Sequence, residues 1–119
     1  MVVLGVLAGC ATDRLHREGL EAIDQGRYAE GMGKLEQAVK DDPANIAFLL
    51  DLKARRESAA QALIASADSA RSAGRLDEAE KLYRAVLDVD STSIRGQRGI
   101  EGVAADRRHA ALVLQATAD

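Results

Sequence analysis

The sequence predicts an all-α fold of about five helices with a long middle helix. Three observations carry this expectation. Alanine is the commonest residue, aromatics are only 3% and Pro43 is the single proline, a composition that favours helix over sheet. Apolar residues recur three and four apart along most of the chain, and no segment alternates with a period of two over a useful length. Helix breakers are few and well spaced: Gln25-Gly26, Asp41-Asp42-Pro43, Ser72-Ala73-Gly74 and Asp90-Ser91-Thr92. At 119 residues there is room for one domain and not comfortably two.

The N-terminus comes first. Val2 to Ala8 is almost wholly apolar and leads into Leu7-Ala8-Gly9-Cys10. The run is far too short to span a bilayer, which needs about 20 helical residues. An apolar stretch followed by small residues is the pattern of a signal peptide near its processing point. Leucine, two small residues and cysteine resemble the bacterial lipoprotein box. The resemblance implies that the Cys10 thiol receives a diacylglyceryl group, that cleavage precedes Cys10, and that its new amino group is acylated. Residues 1–10 are then a signal segment and 11–119 a helical domain. No Lys or Arg precedes Cys10, so the true start is expected upstream of Met1. Ala11 stands where the family's inner-membrane retention signal has Asp, which implies the outer membrane and its periplasmic face. The plain alternative is an ordinary buried thiol in an apolar N-terminus.

Beyond the cysteine, Leu15, Gly19, Ala22 and Ile23 recur at helical spacing, with Thr12 or Asp13 as candidate N-caps. A second helix is expected from about Tyr28 to Lys40, with Tyr28, Met32, Leu35, Ala38 and Val39 inward. It ends before Pro43, because a residue preceding proline avoids the α region. Ala44 to Ala73 holds no breaker and predicts the long helix, with a stripe of Ile46, Leu49, Leu52, Arg56, Ala59, Leu63, Ala67 and Ala70. The fourth helix, Leu76 to Val89, opens with Asp77, Glu78 and Glu80, which suit a positive helix N-terminus. It directs Leu76, Ala79, Leu82, Tyr83 and Val86 inward. The last helix runs from about Ser93 to Ala116, with Ile100, Val103, Ala104, Ala111 and Leu114 inward. Tyr28, Phe48 and Tyr83 are the aromatic plugs of a core otherwise made of Ala, Leu, Ile and Val.

An internal repeat organises these helices. Gly26-Arg-Tyr28-Ala-Glu-Gly31 aligns with Gly74-Arg-Leu76-Asp-Glu-Ala79. Leu35 and Tyr83 follow at one matched position, and Ala38-Val39 and Val86-Leu87 at the next. Asp-rich turns follow both. The pattern resembles the tetratricopeptide repeat, a helix–turn–helix unit of about 34 residues. Gly31 departs from the family's usual Ala, Leu35 from its aromatic, and Ser91 stands where the first copy has Pro43. Gly19 and Ala67 occupy the small position of the opening helices. Physically, Gly26 and Gly74 supply positive φ at the turns, and Gly19, Gly31, Ala67 and Ala79 let two backbones approach. The turn glycines lie 48 residues apart, at 26 and 74. The excess lengthens the middle helix by about four turns, and those turns either pack on the last helix or project as an arm. A generic Ala/Leu bundle is the rival reading.

Little here points to catalysis. One cysteine excludes an intramolecular disulfide and a Cys-cluster zinc site, and no cofactor is expected. A net charge of −3 removes the electrostatic case for nucleic acid. His16 and His109, each beside an Arg, read as solvated surface residues rather than a metal pair. Gly31-Met-Gly-Lys34 lacks the frame, the following Ser/Thr and the preceding strand of a phosphate loop. Asp41, Asp42, Asp88 and Asp90 are turn formers, and no serine or cysteine sits in a nucleophile frame, so the chain is not expected to be an enzyme.

Two surfaces are candidates for partners. Arg55, Arg56, Arg95, Arg98, Arg107 and Arg108 form basic patches that could meet acidic segments or lipid headgroups, or pair within their own helices with Glu57, Glu101 and Asp106. Gly96, Gly99 and Gly102 form a ridge that cost about 1 kcal/mol each against alanine. They either receive the fourth helix or form a docking groove for a partner helix.

Tetratricopeptide arrays bind a peptide or helix of another protein in their groove. With the lipid signal, that resemblance implies an outer-membrane lipoprotein scaffold of a secretion, pilus or envelope-assembly machine. The run Asp90 to Leu114 also resembles the end of the repeat segment that precedes the N-terminal domains of some lipoprotein secretins. If this chain is such a segment, it is part of a longer pore protein and an oligomer is expected. A small-ligand-binding or enzyme-accessory lipoprotein is the third alternative.

Overall fold

The computed structural model describes residues 3–119, with side chains from Gly9 onward. It comprises α1 (Val3–Asp24), α2 (Tyr28–Asp41), α3 (Ile46–Ser72), α4 (Leu76–Val89) and α5 (Ile94–Ala118). No strand occurs among the described residues, so the fold is all-α as the composition and periodicity require. The side chains of the apolar run Val2–Ala8 lie outside the described residues. The first helix begins earlier than expected: α1 runs through Cys10, Thr12 and Asp13 without a break. Thr and Asp cost a helix interior well under about 1 kcal/mol, so neither forces a start.

The chain divides into two compact units, Met1–Ala59 and Ala60–Asp119, with the boundary inside α3. In the first unit, α1 and α2 form a hairpin around Gly26, whose φ is +80°. The Gly26 N–H donates to the Ile23 carbonyl at 2.9 Å, and the Arg27 N–H to the Ala22 carbonyl at 2.8 Å. This pair of bonds closes the helix through a left-handed residue just past its end. Above the turn the helices cross at glycine on glycine. A Cβ on Gly31 would lie 2.7 Å from the Gly19 carbonyl oxygen, so the two backbones touch. Leu35, 0% exposed, fills the space beside this crossing with Met32, Ala38, Ala22 and Ile23.

The first half of α3 buries Phe48, Leu52 and Ala59. Here the expected stripe is corrected. Ile46 and Leu49 are 69% and 37% exposed, and Phe48 takes the inward position. Phe48 stacks on the His16 ring of α1, centroids 4.3 Å apart, and its own N–H is capped by Asn45 Oδ1 at 3.2 Å. Only the first turn departs: from Leu52 onward the expected positions Leu52, Ala59, Leu63, Ala67 and Ala70 are buried.

The second unit repeats the first with an offset of 48. Gly74 has φ +78°, and its N–H donates to Arg71 at 3.0 Å while Arg75 donates to Ala70 at 2.9 Å. Ser93 stands where Asn45 stood, its Oγ accepting from the Gly96 N–H at 3.1 Å. The backbone bonds Asp42 to Ala38 and Asn45 to Asp42 recur as Asp90 to Val86 and Ser93 to Asp90. Ala67, Ala70, Ala79, Tyr83 and Val103 form the core, with Leu76, Leu82 and Ile100 packed against it.

This explains the long middle helix. Each unit consists of a hairpin plus a closing helix, and α3 both closes the first unit and opens the second. Its extra turns are therefore buried rather than an arm: Ala59, Ala60, Leu63 and Ile64 are each at most 8% exposed. In α5 the expectation fails at the far end. Ile100 is half-buried and Val103 buried, but Ala111 and Leu114 are exposed, Leu114 by 70%.

Candidate functional site

Cys10 is a free, exposed thiol on α1. It shares a shallow depression with Asp13, His16 and Arg17, which helical spacing of three and four places on one face. His16 is not the solvated residue expected. Its side chain is 13% exposed, and its Nε2 lies 2.8 Å from Asp51 Oδ2. With the Phe48 stack, this ties α1 to the first half of α3. His109 is exposed on α5. Among the described residues no group of three His, Cys, Asp or Glu is placed to hold a metal ion.

The basic residues are engaged mainly across helices rather than along them. Arg55 reaches Asp24 of α1 at 3.1 Å, and Arg56 reaches Glu36 of α2 at 2.7 Å. In the second unit Arg95 reaches Asp68 at 3.1 Å. Arg107 spans Glu80 at 2.6 Å and Asp77 at 2.5 Å on α4. Arg71 of α3 holds Asp106 of α5 through Nε at 2.7 Å and Nη2 at 3.3 Å, the forked geometry that makes guanidinium–carboxylate pairs specific. The hydrogen bond from Arg71 holds the Asp106 carboxyl below its ordinary range. Arg84, then Arg107, do the same to Glu80. Exposed pairs of this kind contribute little, because water screens them. They fix which helix faces which more than they stabilise. Arg108 is exposed and makes no ion pair among the described residues.

The glycine ridge of α5 is filled from within the chain, so it is not an open docking groove. Gly96 faces Val86 and Leu87, Gly99 faces the Tyr83 ring, and Gly102 faces the Arg71 guanidinium. A Cβ on Gly99 would lie 2.3 Å from that ring. Tyr83 is 2% exposed, and its hydroxyl donates to Asp68, which also accepts from Arg95. Burial, then the Asp68 bond, pushes the phenol above its ordinary pKa. Tyr83 thus joins α3, α4 and α5. Sequence reading found its place in the core but not its polar partner, because Asp68 lies fifteen residues away with no pattern to link the two.

Of the other repeat positions, Ala38, Ala79 and Val86 are buried, Tyr28 and Leu76 are half-buried, and Pro43 is exposed in its turn. Pattern analysis missed a set of exposed apolar side chains near the end of α5: Leu112 at 64%, Val113 at 47% and Leu114 at 70%. Their signal in the sequence is an uncharged run from Ala110 to Ala118. No described helix is long and apolar enough to cross a membrane. No protein-family model matches the chain, and no curated protein or solved structure is significantly similar to it.

Proposed function

We propose that this chain is a non-catalytic scaffold, lipid-anchored through Cys10 to the periplasmic face of the outer membrane. It binds a partner protein of a secretion, pilus or envelope-assembly machine. The observation that carries the reading is the repeat of hairpin, cap and closing helix at an offset of 48 residues, reproduced bond for bond at Gly26 and Gly74. Repeated helical units hold side chains on rigid helices at regular spacing, which suits extended contact with another chain. Arg55, Arg56, Arg71, Arg95 and Arg107 pair with carboxylates of other helices, and the exposed thiol of Cys10 is accessible to a modifying enzyme. Because α1 is unbroken from Cys10 to Asp24, a lipid on Cys10 leaves no flexible linker and holds the scaffold close to the bilayer. Two or more acyl chains give a stable anchor where one is marginal.

A second reading is the N-terminal repeat segment of a longer lipoprotein secretin. The exposed apolar end of α5 favours it, because that end calls for a helical neighbour.

The test is the intact mass of the protein extracted from its own cell envelope, beside Cys10→Ala. A species starting at Cys10 and carrying acyl chains, lost in the variant, is expected. A much larger lipidated species would select the secretin reading. An unlipidated chain that still begins at Met1 would refute the anchor.

A further inference from the structure

In the first unit α1 and α2 form a hairpin around Gly26, so the end away from that turn holds Cys10 and the close of α2. The first half of α3 points the same way as α1. Its Phe48 stacks on His16, its Asp51 lies 2.8 Å from His16, and its Arg55 reaches Asp24 at 3.1 Å. Later residues of α3 thus meet later residues of α1, and the start of α3 lies at the Cys10 end. That start is apolar and bare: Ile46 is 69% and Leu50 60% exposed, one turn apart on one face. A rise of about 1.5 Å per residue puts His16 about 9 Å along the axis from Cys10, and Ile46 about 3 Å nearer that end than Phe48. Ile46 is then level with Arg14. Arg14 and Arg17, four and seven residues past Cys10, share its face of α1. Both are exposed and make no ion pair among the described residues. Helical side chains tilt toward the helix N-terminus, which here is toward Cys10.

We propose that this end of the first unit is a bilayer-contact surface. Ile46 and Leu50 seat in the interfacial layer of a zwitterionic phospholipid membrane, and Arg14 and Arg17 bind its phosphates. The acyl chains proposed for Cys10 identify the occupant: α1 is unbroken from Cys10, so the anchor holds this end against the bilayer surface. The headgroup layer is about 5–7 Å deep on each side of a bilayer. Ile46 and Arg14, about 6 Å along from Cys10, fall within it. Leu50 and Arg17, one turn further and tilted back, meet its outer edge. The charges specify the headgroup. Asp13, Asp41 and Asp42 stand at the same end as Arg14, Arg17 and Lys40. Both signs together match a headgroup of phosphate and ammonium, whereas a purely anionic layer would repel the carboxylates. Glu21 and Asp24, on the Cys10 face at the far end of α1, likewise oppose a helix lying flat.

This inference deepens the scaffold reading and rests on its lipid anchor, which the test supplies chemically. Cys10 is the sole cysteine and the chain has no tryptophan. The processed chain, beginning at Cys10, is coupled through that thiol to a maleimide-headed lipid in phosphatidylcholine vesicles, with one tryptophan introduced as a depth probe. Among the described residues the buried positions begin at Gly19, so this chain keeps its core, and a thermal melt equal to that of the full chain verifies it for each variant. Ile46→Trp is expected to shift its emission to shorter wavelength on the vesicles and to be quenched by brominated acyl chains. Leu50→Trp is expected to be quenched less. Ala29→Trp, exposed at the Gly26 end of the unit, is expected to keep its full emission. Arg14→Gln with Arg17→Gln is expected to lose most of the quenching of Ile46→Trp.

No quenching of Ile46→Trp, or equal quenching of Ile46→Trp and Ala29→Trp, overturns the proposal. A blue shift of Ile46→Trp that grows with protein concentration in the absence of vesicles assigns the surface to a second copy and overturns it too. Stronger quenching on phosphatidylglycerol vesicles than on phosphatidylcholine overturns the zwitterionic match. The mass of the native protein decides the anchor and the quenching decides the surface, so each can fail without the other.

Discussion

Replacing Gly31 with alanine probes the crossing of α1 and α2 directly. Alanine is what the second repeat carries at the matched position, Ala79, so pattern alone would rank the change as an improvement. The geometry says otherwise. The new Cβ would lie 2.5 Å from Ile23 Cγ1, 2.7 Å from the Gly19 carbonyl oxygen and 3.0 Å from the Ile23 nitrogen. Two of these three neighbours are backbone, so no change of rotamer relieves the contact. Carbon–oxygen contacts normally lie near 3.3–3.6 Å, so α1 and α2 must part by more than about half an ångström. Overpacking of this kind costs about 1–3 kcal/mol, and an immovable backbone puts Gly31 at the upper end. Alanine returns about 1 kcal/mol of helix propensity, leaving a net loss of about 2 kcal/mol.

Gly33, two residues on in the same helix, is the control. It is exposed, and a Cβ there meets nothing within 4 Å, so Gly33→Ala should stabilise by about 1 kcal/mol. The two variants should therefore differ by about 3 kcal/mol in urea denaturation followed by far-UV circular dichroism. Equal midpoints, or a higher midpoint for Gly31→Ala, would refute the close crossing.

Three further outcomes follow from the second unit. Gly99→Ala pushes a methyl into the rigid Tyr83 ring and should lose about 2 kcal/mol. Gly102→Ala meets only the movable end of Arg71 and should stay near wild type; equal losses in thermal melts would contradict this. Tyr83→Phe removes the hydrogen bond to a half-exposed Asp68 and should cost about 1 kcal/mol. Tyr83→Ala should cost about 3–5 kcal/mol by leaving a cavity, both read as shifts in urea midpoint. The folded-state pKa values of Asp106 and Glu80 are depressed by their arginine partners. The stability they contribute is present above the unfolded carboxylate values, near about pH 4, and is lost as pH falls through the lower folded values. Urea midpoints from pH 7 to 2 should fall in that acid range, less steeply in Asp106→Asn; an unchanged acid limb would show that the pair carries no linkage.

Much of this molecule is legible without coordinates, because its determinants are local. Gly26 and Gly74 are needed where the chain takes positive φ, Pro43 and the Asp-rich runs end helices, and three-and-four spacing marks the inner faces of α2 and α4. Those features set the helices, the hairpins and the repeat. The small residues Gly19, Gly31, Ala67 and Ala79 likewise announce close crossings by their size alone. Cys10 and its flanking residues are readable as a motif, and the lipidation proposed for Cys10 is not a matter of fold.

What tertiary structure decided are the choices that depend on a neighbour. Ile46, Leu49 and Phe48 are all apolar, and it is Phe48 that is buried, stacked on the His16 ring of α1. Arg55, Arg56 and Arg107 each have acidic residues nearby in sequence, yet they bond to Asp24, Glu36, Glu80 and Asp77 on other helices. The α5 glycines were ambiguous between an internal seat and a docking groove until Tyr83 and Arg71 were seen to occupy them. Leu112 and Leu114 have the pattern of a core and none of its cover. A residue's spacing states which side of its helix it lies on; whether that side is buried is settled by whatever packs there, which a one-dimensional pattern does not contain.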